Sequence, residues 1–247
     1  MLLLASLFAV PATGAVYYVS SESGDDAHDG LTPGSAFATV THVNSLALQS
    51  GDEIRFFCGE TWRVQTLVVT RSGSPGSPIL FSSYPADCVD KPVLSGARPI
   101  SGWSIAAPNL YVADLDDGAN AGLFPLGLNQ LFRGAGRLPF GRWPNIEDHP
   151  DGGWAEIDSQ PAPDQITDAE LPPGDWAGAV AHIKGIRWYI LNREVVADGG
   201  SILTLNDNAT CWGGCAQWGY FLSNHLATLD SDGEWFWDES DNRVYLY

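Results

Sequence analysis

A mostly β chain is predicted by three features of the sequence. Clusters of Gly, Pro, Asp and Ser recur roughly every ten to fifteen residues, the runs between them are short and apolar, and long helical periods are scarce. With 247 residues the chain can bury a sizeable core, in one large or two small domains.

The first element is not β. MLLLASLFAVPATGA, residues 1–15, is an apolar run ending in Thr13-Gly14-Ala15, and it reads as a secretory signal too short to anchor in a bilayer. No Lys or Arg precedes the run, so either the true start of the signal lies further upstream or the signal is a weak one. Val16-Tyr17-Tyr18-Val19 follows as a short β run. Asp25, Asp26 and Asp29 then crowd a Gly-rich turn, where they could hold Ca²⁺, a hard ion that takes several oxygens. Their spacing matches no EF-hand loop, and Asx hydrogen bonds are the competing reading.

Asp29-Gly30 and Pro33-Gly34 stop any regular element. Beyond them Thr39 can cap a helix over Val40–Leu48, whose apolar face is Val40, Val43, Ala47 and Leu48, with Phe37 at its entry. Ser50-Gly51-Asp52 ends it, and Glu53–Cys58 reads as a strand. Further short strands are expected at Gln65–Thr70, Ile79–Ser83 and Val93–Ser95, separated by turn-forming stretches. Cys58 and Cys88, on neighbouring segments of an exported chain, are expected to form a disulfide.

The segments SGDDAHDGLTPGSAFATV, SGDEIRFFCGETWR, SGSPGSPILFSSYP and PVLSGARPISGW resemble, in that order, the amino-terminal end of secreted right-handed parallel β-helix proteins of the pectate-lyase-like superfamily. The resemblance covers Tyr17 to about Trp103. It implies that the helix after Thr39 covers the open strand edge and exposed core of a first coil. The scaffold hosts hydrolases, lyases, epimerases and adhesins, so it specifies fold rather than activity.

Near Ala106 the character changes to a block rich in Trp and Gly. LNQLFRGAGRLPFGRWPN (residues 128–145) and GEWFWDESDNRVYLY (residues 233–247) resemble the early and late strand pairs of a β-sandwich-like domain inserted in some β-helix glycoside hydrolases. The division is therefore 1–15 signal, 16–105 capped first coils, and 106–247 inserted domain. In the resembling proteins the β-helix resumes after this block, so the chain reads as an amino-terminal fragment, with catalytic carboxylates expected downstream of residue 247. Read from its residues alone, the late pair is a hairpin with Trp235, Trp237, Val244 and Leu246 on one apolar face.

Within this block Arg133, Arg137 and Arg142 lie beside Phe132, Phe140 and Trp143. Such a patch could grip a carboxylated sugar, or could anchor the domain through ion pairs. Glu234 beside Trp235 and Asp238 is the nearest approach to a carboxylate pair held by aromatics, against the plain alternative of a fixed turn. The substrate-binding candidates are thus Arg137, Arg142, Trp143, Glu234 and Trp235. Trp154, Trp176, Trp212 and Trp218 sit in Gly-rich or polar surroundings, where a ring can be partly exposed and serve as a sugar platform. Cys211-Trp-Gly-Gly-Cys215 is too sparse for structural zinc and is expected to close as a small disulfide loop.

The formal charge is −18, from 30 acidic and 12 basic residues. That field opposes nucleic acid, anionic lipid and acidic polymers unless a local basic cleft overrides it, and it equally suits a salty medium. The expectation is a secreted, monomeric carbohydrate-active protein, a glycoside hydrolase by resemblance. A β-helix polysaccharide lyase and a non-catalytic glycan-binding or adhesion module are the alternatives. The only cofactor considered is calcium.

Overall fold

A computed structural model describes residues 14–147 and 152–247, and divides the chain into two compact units, 1–99 and 100–247. Of the leader read over residues 1–15, all but Gly14 and Ala15 lies outside the described residues.

In the first unit β1 (Val16–Val19) leads through the Asp-rich turn to α1 (Val40–Ser45), and β2 (Glu53–Phe57) and β3 (Thr61–Arg63) follow. β4 (Leu80–Tyr84) and β5 (Val93–Ser95) complete it. Every ladder here is parallel: β1 on β2, β2 on β4, and β3 on β5. A small core of Val19, Phe37, Val40, Val43, Ile54, Phe56 and Trp62 lies between the helix and the strands. Trp62 is buried with its indole N–H satisfied by the Ala38 carbonyl at 2.9 Å. Gly30 has a φ of +69°, and a Cβ there would come within 2.3 Å of the Phe37 ring, so the turn tolerates no other residue without displacing that ring.

The helix ends at Ser45, three residues short of the expected Leu48. Thr39 caps it as expected, accepting from the His42 N–H at 3.0 Å. Leu46 is already extended, yet Leu46 and Leu48 both pack on the core. Leu46 and Leu48 are two residues apart, the period of extended chain, whereas the helical reading rested on Ala47 and Leu48 following Val43. The strand expected over Gln65–Thr70 does not form. Side chains hold its first half instead: Gln65 accepts from the Val40 N–H, and Asn44 bonds both the Thr66 carbonyl and the Val68 N–H. The expected Cys58–Cys88 disulfide is present.

In the second unit β6 (Ser104–Ala107) and β7 (Leu110–Asp114) come first, then the short pair β8 (Phe132–Arg133) and β9 (Gly136–Arg137). They are followed by β10 (Arg142–Trp143), β11 (Ala155–Glu156), β12 (Gln165–Thr167), β13 (Val180–Ile186), β14 (Tyr189–Asp198) and β15 (Ile202–Leu205). The last are β16 (Gly219–Ser223), β17 (Trp235–Asp238) and β18 (Arg243–Leu246). One sheet runs β10-β16-β13-β14-β15-β12, with β11 also on β16, and the other runs β17-β18-β7-β6; both are antiparallel.

The larger sheet curls into a half barrel. Along β13 buried and half-buried residues alternate strictly, so one face is core and the other is open. Register shifts between Lys184 and Ile186, and between Val195 and Ala197, bend the long β13–β14–β15 meander over that core. Trp176, Tyr220, Ile157, Ile183 and Leu222 fill its interior. The smaller sheet covers Ala113, Leu115, Leu131, Leu138, Trp235 and Val244. The expected hairpin is there, pairing Trp235 with Leu246 and Trp237 with Val244, and β7 covers its far edge. Ile100 and Trp103, read from the sequence as part of the first block, pack on this second core.

Candidate functional site

The arginine and glutamate candidates take structural positions. Glu234 is 3 % exposed, and its carboxylate accepts from the backbone N–H groups of Arg142, Asp230 and Ser231 at 3.1–3.2 Å. Burial pushes its carboxyl up, outweighing those three donors. It fixes the 230–234 turn to the start of β10. Arg142 points its guanidinium at the carbonyls of Pro144 and Gly153 and over the Phe221 ring, 4.0 Å from the centroid. Trp143 is partly buried on the larger core beside Trp176 and Tyr220. Trp235 is buried edge-on to Phe140, its indole N–H without a partner among the described residues. Arg137 is exposed on β9, and Arg133 forms a surface ion pair with Asp232 at 2.9 Å. Arg142 and Glu234 are thus brought together, but backbone groups already occupy both.

The calcium candidates serve local hydrogen bonds. Asp25 and Asp29 accept from the N–H groups two residues on, and Asp29 also from the Ser35 hydroxyl. Asp26 accepts from the backbone of Ala38 and Thr39 and from the Thr39 hydroxyl. Burial alone would raise the Asp26 carboxyl, and these donors overcome it to hold the group below the usual range. Among the described residues no group of three or more His, Cys, Asp or Glu is placed to hold a metal ion.

What the fold does assemble is an open cleft of about 450 Å³ on the larger sheet, lined by Trp154, Glu156, Lys184, Arg187, Gln217, Trp218 and the backbone of Ala155 and Gly219. Its volume falls in the usual range for small-ligand sites, about 300–1,000 Å³. Antiparallel pairing places Ala155 opposite Tyr220, and Tyr220 opposite Ile183, which sets Trp154, Gly219 and Lys184 side by side on the open face. Lys184 holds its ammonium 3.9 Å from the Trp154 ring centroid, while Trp154 stands edge-on to Phe221. Gly219 leaves room there, since a Cβ would lie 3.2 Å from Trp154.

The Cys211–Cys215 disulfide, present as expected, closes the neighbouring loop. That loop is tied to the sheet by the Trp212 N–H to the Gly185 carbonyl, and by the Trp218 indole N–H to the Trp212 carbonyl. Trp212 is 76 % exposed and Trp188, at the β13–β14 turn, 78 %. Of the four tryptophans singled out in the sequence, Trp176 is buried, Trp154 and Trp218 line the cleft, and Trp212 stands free.

Beside the cleft, three strands are joined by a chain of side chains that the sequence analysis missed. His182 Nδ1 is 2.8 Å from Asn192 Oδ1, and its Nε2 is 2.7 Å from the Ser223 hydroxyl. With the amide oxygen as acceptor, Nδ1 carries the proton and Nε2 accepts from Ser223. The ring stacks on Phe221 at 4.3 Å. Burial depresses the imidazole pKa, against the Asn192 hydrogen bond and with help from Arg142. Alternation of VAHIKGI along β13 was the available signal, because it puts His182 and Lys184 on one face.

A second hollow of about 460 Å³ lies by the smaller sheet, between Trp237, Phe124, Leu126, Asp116 and Glu239. The Trp237 indole donates to Asn242, which in turn donates to Asp116.

No known family profile matches the chain. A stretch of 87 residues, 34 % of the chain, is 33 % identical to the lacto-N-biosidase of Bifidobacterium longum subsp. longum, and covers 5 % of that protein. Over 95 % of its length the chain superposes on a solved glycoside hydrolase with a TM-score of 0.62 at 20 % identity, spanning 43 % of that protein. A likeness at that identity establishes the fold alone. A lacto-N-biosidase of Eubacterium ramulus is 37 % identical over 28 % of this chain, with a TM-score of 0.28 and 11 % of its own length covered. The chain therefore spans less than half of each of these three proteins.

Proposed function

We propose that this chain is the amino-terminal portion of a secreted carbohydrate-active enzyme, a glycoside hydrolase acting on a polysaccharide. The observation that carries the reading is the Trp154–Trp218 cleft, a polar hollow with aromatic walls on a scaffold that superposes on a glycoside hydrolase. Indole faces pack on the C–H face of a pyranose, while Gln217, Glu156 and Lys184 can meet its hydroxyls.

The parallel ladders β1–β2–β4 and β3–β5 support reading the first unit as the opening coils of a parallel β-helix with α1 as its cover. Two disulfides favour an oxidising compartment, and among the described residues no helix is long and apolar enough to cross a membrane. The buried Glu234, occupied by three backbone donors, is a poor candidate for acid catalysis. This reading places the catalytic carboxylates on coils beyond residue 247, as the resemblance to β-helix hydrolases implies. A glycan-binding role without catalysis is the second reading, favoured by the exposed rings of Trp188 and Trp212.

Affinity electrophoresis through a panel of neutral and acidic polysaccharides, with a reducing-end assay on the same samples, tests both. Retardation that Trp218→Ala abolishes supports the carbohydrate reading, and release of reducing ends adds hydrolysis to it. Migration unchanged in every polymer, with no reducing ends released, sinks it.

A further inference from the structure

The geometry points to an anionic-sugar subsite in the cleft between Trp154 and Trp218, where Lys184 and Arg187 receive the carboxylate or sulfate of an acidic glycan. The inference rests on the carbohydrate reading above and narrows its substrate class.

Charge pairing across the second unit is the argument. Arg133 pairs with Asp232, Arg193 with Asp207, and Arg243 with Asp114 and Asp241. Arg142 is half-buried against two carbonyls. That leaves Arg137, Lys184 and Arg187 without a carboxylate partner among the described residues, and two of these three line one cleft. In a chain with 30 acidic residues for 12 basic ones, a cleft lined by two cations without an ion-pair partner among the described residues and by one carboxylate, Glu156, is a local reversal of the field.

The two cations also differ in a useful way. Lys184 is held in place, its ammonium 3.9 Å from the Trp154 centroid, so little side-chain freedom is left to lose on binding. Arg187 is exposed at the β13–β14 turn, where its planar fork can close on a carboxylate in bidentate fashion. Glu156, on the same wall, opposes a second negative charge and can accept sugar hydroxyls. The cleft therefore fits one acidic group per site, flanked by a ring that stacks on indole. The whole-chain charge argued against an acidic polymer; the local pair overrides it where contact is made.

The experiment uses the whole chain with acidic polysaccharides and their carboxyl-reduced counterparts, polygalacturonate and glucuronoxylan being the first two pairs, and reads dissociation constants by affinity electrophoresis at low and high salt. A charge-assisted contact is expected to favour the acidic member by about tenfold or more. Arg187→Gln and Lys184→Gln are each expected to close most of that gap without weakening the reduced polymer, and raised salt to close it likewise. Arg187 is exposed, so its variant folds even if loss of the Lys184–Trp154 contact unsettles the other. Arg63→Gln, an exposed charge in the first unit, controls for net charge and should leave the gap intact. Equal binding of acidic and reduced members overturns this inference and leaves the carbohydrate reading standing. Binding of no member, acidic or reduced, overturns both.

Discussion

The Tyr220 hydroxyl donates a 2.8 Å hydrogen bond to Asp168 Oδ2 inside the half barrel, where the tyrosine is fully buried and the carboxylate 4 % exposed. Burial is the main cause that pushes the Asp168 carboxyl above its ordinary range, and nearby Asp158 and Glu170 add to it. Because the folded-state pKa is raised, Asp168 contributes stability that is complete below its unfolded value, about 3.9, and lost as pH rises through the folded value. Asp168→Asn removes that slope while keeping a partner for Tyr220. Urea midpoints from pH 4 to pH 7 are expected to fall less with pH in the variant. Tyr220→Phe leaves the buried carboxylate short of a donor and is expected to cost about 1–3 kcal/mol.

His182 works in the opposite sense. Its depressed pKa means that the unfolded chain takes up a proton that the folded chain resists, so stability falls as pH drops below about 6.5. His225, whose pKa burial also depresses, acts in the same direction. His182→Gln is expected to reduce the loss of stability between pH 6.5 and pH 5, as read by urea unfolding. An unchanged slope would mean that the Asn192–His182–Ser223 chain opens and protonates in the folded state.

Glu234 joins the 230–234 turn to β10 through three backbone donors. Glu234→Ala leaves those donors unpaired in a buried position and is expected to cost about 3 kcal/mol or more, whereas Glu234→Gln retains an acceptor and costs less. Denaturant midpoints of the two variants order the effects. Near-equal values would show that water reaches the turn once the side chain is gone.

How much of this was legible in the sequence follows the range of the interactions. The 235–246 hairpin and the β2, β4 and β5 strands were readable because alternation and turn residues are local. The end of α1 was not, since Ala47 and Leu48 continue the helical spacing from Val43 while Leu46 and Leu48 in fact pack on the core from extended chain. Nor was the curl of the large sheet, which depends on register shifts within β13–β14 and β14–β15. For the cleft the sequence offered Trp154 and Trp218 separately. Their meeting across β11 and β16, with Lys184 from β13, is set by strand pairing between residues 37 to 65 positions apart.

The two disulfides close loops of very different length, with sequence separations of 30 and 4. On chain entropy alone the Cys58–Cys88 bridge is worth about 4 kcal/mol and the Cys211–Cys215 bridge about 2. Paired Cys→Ser replacements should therefore destabilise the first unit more than the second, as read by urea unfolding.

Binding should show the reverse order. The Cys211–Cys215 loop holds Trp212 and supplies the carbonyl that orients the Trp218 indole, whereas Cys58 and Cys88 lie in the other unit. Opening the short loop frees Trp218 to turn away from the cleft wall. Affinity for a retained polysaccharide is expected to drop about tenfold under conditions where the chain stays folded, because an ordered aromatic anchor is lost although the bridge contributes only about 2 kcal/mol to stability. Trp218→Ala in the intact loop should weaken binding at least as much, and combining it with the Cys211/Cys215 replacements should add little further. Additive losses would instead mean that Trp212 contacts the glycan in its own right, extending the site along the β13–β14 turn toward Trp188.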